Sequence, residues 1–183
     1  MRHGETEWSA SGAHTSRTDV PLLPSGIKQA EELKTKLHGR KFALVLVSPM
    51  QRALETCRLA GYAGQAEITD DLKEWDYGEY EGRSTADIRK DRPNWSLWRD
   101  GVVRGESADQ VGMRVKRVID RCVQVNGDVA LFAHGHVLRI LTAVWLDLPP
   151  VDGKFFALNT ATISVLGCEH EYKVIRRWNS ASV

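Results

Sequence analysis

Little in this chain of 183 residues marks it for a membrane, a structural metal or a polyanion. Cysteine is scarce: Cys57, Cys122 and Cys168 are odd in number, far apart and without the paired spacing of a zinc site. They read as small buried hydrophobes in a reducing compartment, so a cytoplasmic setting is expected. An excess of either charge is also missing, with 25 Lys and Arg against 24 Asp and Glu. That excludes a general basic field for nucleic acid or an anionic lipid surface, and any anion site must be local. Long apolar runs are lacking as well. Residues 43–47 and 137–148 are too short or too interrupted to span a bilayer, and the polar opening residues have no signal-peptide apolar region. No internal repeat, low-complexity tract or linker breaks the sequence, so a single domain over residues 1–183 is expected.

What is present alternates between helical and extended patterns, which favours layered α/β packing. Residues 11–23 have loop composition. A helix is predicted over residues 25–38, with Ile27, Ala30, Leu33 and Leu37 forming its apolar stripe. Residues 42–47 form a continuous apolar run ending at Ser48-Pro49, the pattern of a parallel strand buried on both faces, and a helix follows over 51–59. Ser107 is placed to cap an amphipathic helix with Val111, Val115, Val118, Ile119 and Cys122 on one face. A second buried strand is predicted over 128–133, a helix over 135–146, and two strands over 161–166 and 172–178.

The pair His134-Gly135 and the segment from Ser48 to Arg52 each follow an apolar, strand-like stretch, and His3-Gly4 repeats the histidine-glycine pair with only Met1 and Arg2 before it. Ligands of α/β sheets gather outside the carboxyl ends of strands, so His3, Arg52 and His134 are expected to converge on one anion pocket. Arginine offers permanently charged donors matched to phosphate oxygens, and a helix beginning near Gly135 aims free N–H groups at the same anion. An unprotonated histidine can attack phosphorus and split one transfer into two. The leaving oxygen then needs a proton, and the acids between Asp70 and Glu81 are too many for spacing to choose among them. His134 and His136 form a His-x-His pair, but no third ligand stands nearby and no metal is expected.

The segments Arg2-His3-Gly4-Glu5-Thr6-Glu7-Trp8, Asp19-Val20-Pro21-Leu22, Ser48-Pro49-Met50-Gln51-Arg52-Ala53-Leu54-Glu55-Thr56, Leu72 to Gly82, Gly105-Glu106-Ser107 and Ala133-His134-Gly135-His136 resemble, in order, the motifs of the histidine phosphatase, or phosphoglycerate mutase-like, superfamily. The resemblance implies a three-layer α/β/α sandwich with a mostly parallel central sheet. It implies a metal-independent phosphatase that needs no cofactor and hydrolyses small phosphomonoesters, sugar phosphates or similar metabolites, through a phosphohistidine. On this reading His3 is the nucleophile, Arg2, Arg52 and His134 form the phosphate pocket, and Glu74 is the proton donor. Ser9, Thr15, Ser16 and His136 are candidates for substrate contact; Ser9 stands where many members have Asn, and Ser16 where many have Gly. The run from Glu74 to Gly82 is most similar to the branch of small acid phosphatases and sedoheptulose bisphosphatase. Mutases of the family typically carry Glu-Arg-His-Tyr-Gly where this chain has Glu74-Trp75-Asp76-Tyr77-Gly78, and losing that arginine weakens the mutase alternative. A second alternative, an inactive phosphate-ester-binding paralogue, conflicts with the presence of every expected catalytic side chain.

His14, His38 and His170 have no supporting context and are expected at the surface, while Trp75, Trp95 and Trp98 suit either a wall over the site or core packing. The resemblance also implies an apolar strand ahead of Arg2-His3-Gly4, so the first strand reads as truncated to Met1. A chain extended upstream is expected to melt higher. If Glu74 must be protonated for the first step, activity favours mildly acidic pH. The sequence leaves a homodimer, and the identity of the phosphate ester, open.

Overall fold

The computed structural model describes residues 1–181. Helices α1 (Glu7–Ser11) and α2 (Pro24–Leu37) precede strand β1 (Leu44–Val47) and helix α3 (Gln51–Leu59). Strand β2 (Ala66–Ile68) leads to α4 (Thr85–Asp91), α5 (Leu97–Asp100) and the long α6 (Ala108–Val123). Strand β3 (Val129–Phe132), helix α7 (Gly135–Trp145) and the hairpin β4 (Ile163–Glu169) and β5 (Tyr172–Ser180) complete the chain. The three strands β2-β1-β3 pair in parallel, and β4-β5 form a separate antiparallel pair.

Strand β1 explains the layering. Successive side chains of a strand face opposite ways, and all four of its residues are buried. Leu44 and Leu46 join a core with Val111, Val115 and Val118 of α6 and Val137, Ile140 and Leu141 of α7. Val45 and Val47 join the other core with Leu33 and Leu37 of α2 and Ala53 and Cys57 of α3. Helices therefore cover both faces of a mostly parallel sheet, as the apolar run had implied. Each valine, leucine or isoleucine side chain so buried contributes about 1.5–3 kcal/mol.

The helices begin where their sequences allow. Ser107 accepts from the Gln110 amide while the Gln110 side chain bonds back to the Ser107 amide, a reciprocal cap for α6. Pro24 opens α2 at a position where the missing N–H costs nothing. The buried stripe of α2 is Gly26, Ala30, Leu33 and Leu37, whereas Ile27 is 38% exposed. Gly26 takes the inward place because the backbone of the opening turn lies against it: a Cβ on Gly26 would sit 2.1 Å from the Glu5 carbonyl oxygen. One helix was not foreseen and one more expectation needs correction. Residues 7–11 form helix α1, capped by Thr6 and Ser9. Of the cysteines, Cys57 is buried, Cys122 is half-buried and Cys168 is exposed, because Cys168 falls at the solvent end of the β4-β5 hairpin.

The opening residues lie beside β3. Arg2 pairs with Ala133 in a parallel bridge, the Ala133 amide donates to Met1 O at 3.1 Å, and the His3 amide donates to Ala133 O at 3.0 Å. Beyond that bridge, Val129 and Leu131 of β3 and Ile163 and Val165 of β4 line an apolar cleft of about 360 Å³.

Candidate active site

Three chain turns meet at the carboxyl ends of these strands, as sheet topology requires of a ligand site in this architecture. His3 follows the Arg2 bridge, Ser48 and Arg52 follow β1, and His134 follows β3 and precedes α7. The rings of His3 and His134 lie 5.1 Å apart. Arg52 is fully buried and donates from Nε to His134 Nδ1 at 3.1 Å. All four side chains named for the site by spacing or resemblance on this side, Arg2, His3, Arg52 and His134, are thus gathered.

The tautomers follow from the partners. His3 Nδ1 lies 2.7 Å from Gly4 O, and a carbonyl can only accept, so Nδ1 carries the proton and Nε2 is left with its lone pair. Burial, and then the charges of Arg2 and Arg52, hold the His3 pKa well below the usual imidazole value, so the ring is neutral at neutral pH. His134 accepts at Nδ1 and therefore donates from Nε2 to Ser48 Oγ at 2.7 Å. Burial and then Arg52 push its pKa down in the same way.

Counting donors separates the arginines. Arg52 uses Nε on His134, Nη1 on Thr18 O, and Nη2 on both Thr15 O and Ser16 O, which leaves one Nη1 proton of its five donors. Arg2 donates from Nη1 to Leu158 O at 2.6 Å, while its Nε is buried with no hydrogen-bond partner among the described residues. An orphaned charged donor is costly inside a protein, and a phosphate oxygen is the partner it suits.

Glu74 lies across from this cluster, 6% exposed. Its Oε1 accepts from the Trp75 amide at 2.9 Å and the Val137 amide at 2.8 Å; Oε2 accepts from the His136 amide at 2.9 Å. Two of these amides belong to the first turn of α7, where free N–H groups and the helix dipole hold a carboxylate. A Cβ on Gly135 would lie 3.5 Å from Arg2 Cζ and 3.6 Å from Glu74 Oε2, so arginine and carboxylate both border the space this glycine leaves open.

The candidate substrate residues are less uniform. Ser9 Oγ donates to Thr6 O within the α1 cap, Thr15 Oγ1 donates to Ala13 O, and Ser16 Oγ donates to Glu74 O at 3.2 Å. His136 is half-buried; its Nδ1 is hydrogen-bonded at 2.6 Å to the Tyr77 hydroxyl, which burial and then Glu74 keep protonated. Trp98 lies 5.3 Å from the His136 ring, whereas Trp75 and Trp95 are core residues. Trp75 occupies the place of the mutase arginine and points inward, donating from Nε1 to Glu106 O at 2.7 Å. His134 and His136 turn to different partners, and no group of three metal-ligating side chains occurs among the described residues.

His14 was expected at the surface and is buried, with its pKa lowered to about 4 by desolvation. Its amide donates to Arg83 O and its carbonyl accepts from Gly82, which folds the loop inward and stacks the ring 4.7 Å from Tyr77. His38 and His170 are exposed. Sequence reasoning missed Arg114, a buried arginine of α6 bonded to the Glu74 carbonyl. A signal existed: position 114 falls on the apolar stripe of Val111, Val115 and Val118, where a charge is out of place.

Parallel sheet, helices on both faces and a buried imidazole between arginines define an α/β protein with an anion-binding centre at its strand ends. The chain belongs to the histidine phosphatase superfamily (branch 1), whose family model matches residues 1–181. It is 41% identical over 175 residues to an acid phosphatase of Mycobacterium tuberculosis, covering 93% of this chain and 85% of that protein. It is 36% identical to sedoheptulose 1,7-bisphosphatase of Saccharomyces cerevisiae over 81% of this chain and 66% of the yeast protein. Among solved structures, that of an open reading frame of Mycobacterium tuberculosis superposes with a TM-score of 0.92 at 37% identity, covering 97% of this chain and 94% of that one. A putative alpha-ribazole-5'-P phosphatase from Escherichia coli gives 0.86 at 30% identity, over 100% of this chain and 95% of that one. The activity is that of a histidine-phosphatase hydrolase acting on small phosphomonoesters.

Proposed function

We propose that residues 1–183 act as one domain that hydrolyses sugar phosphates or similar esters through a phosphohistidine at His3. The His3 Nε2 lone pair attacks phosphorus, and the bond to the leaving oxygen breaks as that oxygen takes a proton from Glu74. Water then attacks phosphorus, Glu74 recovers the proton, and the P–N bond breaks to release inorganic phosphate and neutral His3. Arg2 and the remaining Arg52 donor hold the equatorial oxygens, with His134 beside them, and these fixed charges need no reorganisation as the transferring group moves. In Glu74, Oε1 already accepts two amides and Oε2 one, so Oε2 is the oxygen that carries the proton.

The observation that carries this reading is the His3 hydrogen bond to Gly4 O, which presents a neutral Nε2 among arginines. The inward Trp75 supports hydrolysis over mutase transfer, since no arginine stands there to hold a second anionic group. Three free thiols suit a reducing, cytoplasmic compartment. Ser9, Thr15, Ser16 and His136 are the residues from which we expect substrate selection, His136 beside Trp98 foremost. The test is phosphate release from a panel of sugar and glycerate phosphates with His3→Ala alongside. Loss of turnover and of phosphoenzyme labelling is expected; activity retained by His3→Ala contradicts the mechanism.

A further inference from the structure

Glu74 is held at its carboxylate by α7, but its backbone is held from another direction. Arg114 of α6 donates from Nη1 to Asp71 O at 2.9 Å and Lys73 O at 2.6 Å, and from Nη2 to Glu74 O at 3.1 Å. Its remaining donors go to Glu106, Nε to Oε1 at 2.8 Å and Nη2 to Oε2 at 2.9 Å. Glu106 in turn grips the far side of Glu74: its Oε2 accepts from the Asp76 amide at 2.9 Å, its carbonyl accepts from Trp75 Nε1, and its amide donates to Asp76 O at 2.9 Å. The segment from Asp71 to Asp76 is therefore strapped on both sides of Glu74 by one arginine and one carboxylate.

All five N–H groups of Arg114 are used. That separates it from Arg2, which has an orphaned Nε, and leaves it nothing to offer a substrate. Helix α6 also packs on α7, so the same helix braces the backbone of Glu74 and the helix whose amides receive its carboxylate.

We propose that Arg114, locked by Glu106, is the positioning residue that sets the Glu74 carboxyl against the leaving oxygen. This rests on the reading of Glu74 as proton donor. Proton transfer is sensitive to displacements far smaller than those that unfold a domain, so a planar fork of five donors suits the task where a lysine would not.

The experiment compares kcat/KM for two esters across Glu74→Gln, Arg114→Met and Arg114→Lys. p-Nitrophenyl phosphate releases a stable phenolate that needs no proton; β-glycerophosphate releases an alkoxide that does. Because kcat/KM ends at formation of the phosphoenzyme, the second step does not enter. Glu74→Gln is expected to lower the glycerophosphate value about 100-fold or more and the nitrophenyl value less than about 10-fold. Arg114→Met is expected to show the same selective loss. Arg114→Lys, which keeps the charge opposite Glu106 and supplies a folded variant if the methionine change does not, is expected to show it at about 10-fold. Equal losses on both esters in the Arg114 variants, with a selective loss in Glu74→Gln, overturn the positioning role and leave the acid in place. Equal losses in Glu74→Gln itself overturn the acid and, with it, this proposal.

Discussion

The two sides of the site are built from different materials. The side proposed to carry the nucleophile consists of charged and aromatic side chains at three strand ends, Arg2 and His3, Arg52, and His134, each presented by a turn with a recognisable sequence. On the proposed acid side the carboxylate of Glu74 is held by backbone amides at the start of α7, and its backbone by a strap of carbonyls on Arg114. The difference teaches that chemistry requiring a particular side chain leaves a motif. Chemistry requiring a particular backbone position leaves its support anywhere in the chain that can reach.

If that contrast is sound, the two arginines of the nucleophile side must fail differently. Arg2 has spare donors and an orphaned Nε, so Arg2→Met removes charge from the transferring phosphoryl group with little cost to the fold. The expected loss in kcat/KM is about 1,000-fold, the scale of removing one preorganised donor from a transition-state site, with the thermal midpoint shifted by no more than a few degrees. A midpoint that collapses with Arg2 would erase the distinction between holder and scaffold. Arg52 is the scaffold: it satisfies carbonyls of Thr15, Ser16 and Thr18 as well as His134. Arg52→Met strands those buried acceptors, and a loss of about 3 kcal/mol or more in unfolding free energy is expected from urea titration. Stability within about 0.5 kcal/mol of the parent protein would contradict that role.

A smaller effect follows from pH. Burial first, and then neighbouring charges, depress the pKa values of His3, His134 and His136 well below the usual 6.5, and that of His14 to about 4. The unfolded chain therefore binds more protons than the folded one between those values and about 6.5. Stability is complete above that pH and is lost as pH falls through it, before most carboxylates titrate. Urea midpoints measured at pH 7.5, 6 and 5 are expected to decline in that order; a flat series would mean that these rings are not buried neutral. The same depression keeps His3, the proposed nucleophile, unprotonated in mild acid, so activity is expected to persist there. The acid optimum foreseen from the sequence and the acid-labile fold then pull against each other.

Much of this was legible beforehand. The apolar run before Ser48 announced a strand buried on both faces, and Leu44 and Leu46 against Val45 and Val47 realise it in two cores. The ordered motifs brought His3, Arg52 and His134 to one place. His14 was not legible, because what buries it is a backbone pairing with Gly82 and Arg83, remote in sequence and silent in composition. The inward turn of Trp75 was equally hidden, since its partner is a backbone carbonyl of Glu106. Arg114 was half-legible: the helix period put a charge on the apolar stripe of α6, but only the fold reveals the carbonyls it serves.

In the proposed mechanism His3 Nε2 carries the phosphoryl group. Rapid quench of the parent protein with a labelled ester, followed by peptide mapping under alkaline conditions that preserve phosphohistidine, tests it most directly. The expected result is a single acid-labile label on the peptide containing His3, attached at Nε2 because Nδ1 is committed to Gly4 O. A label on His134 or His136, or hydrolysis at full rate with no phosphoenzyme at any time, would contradict it.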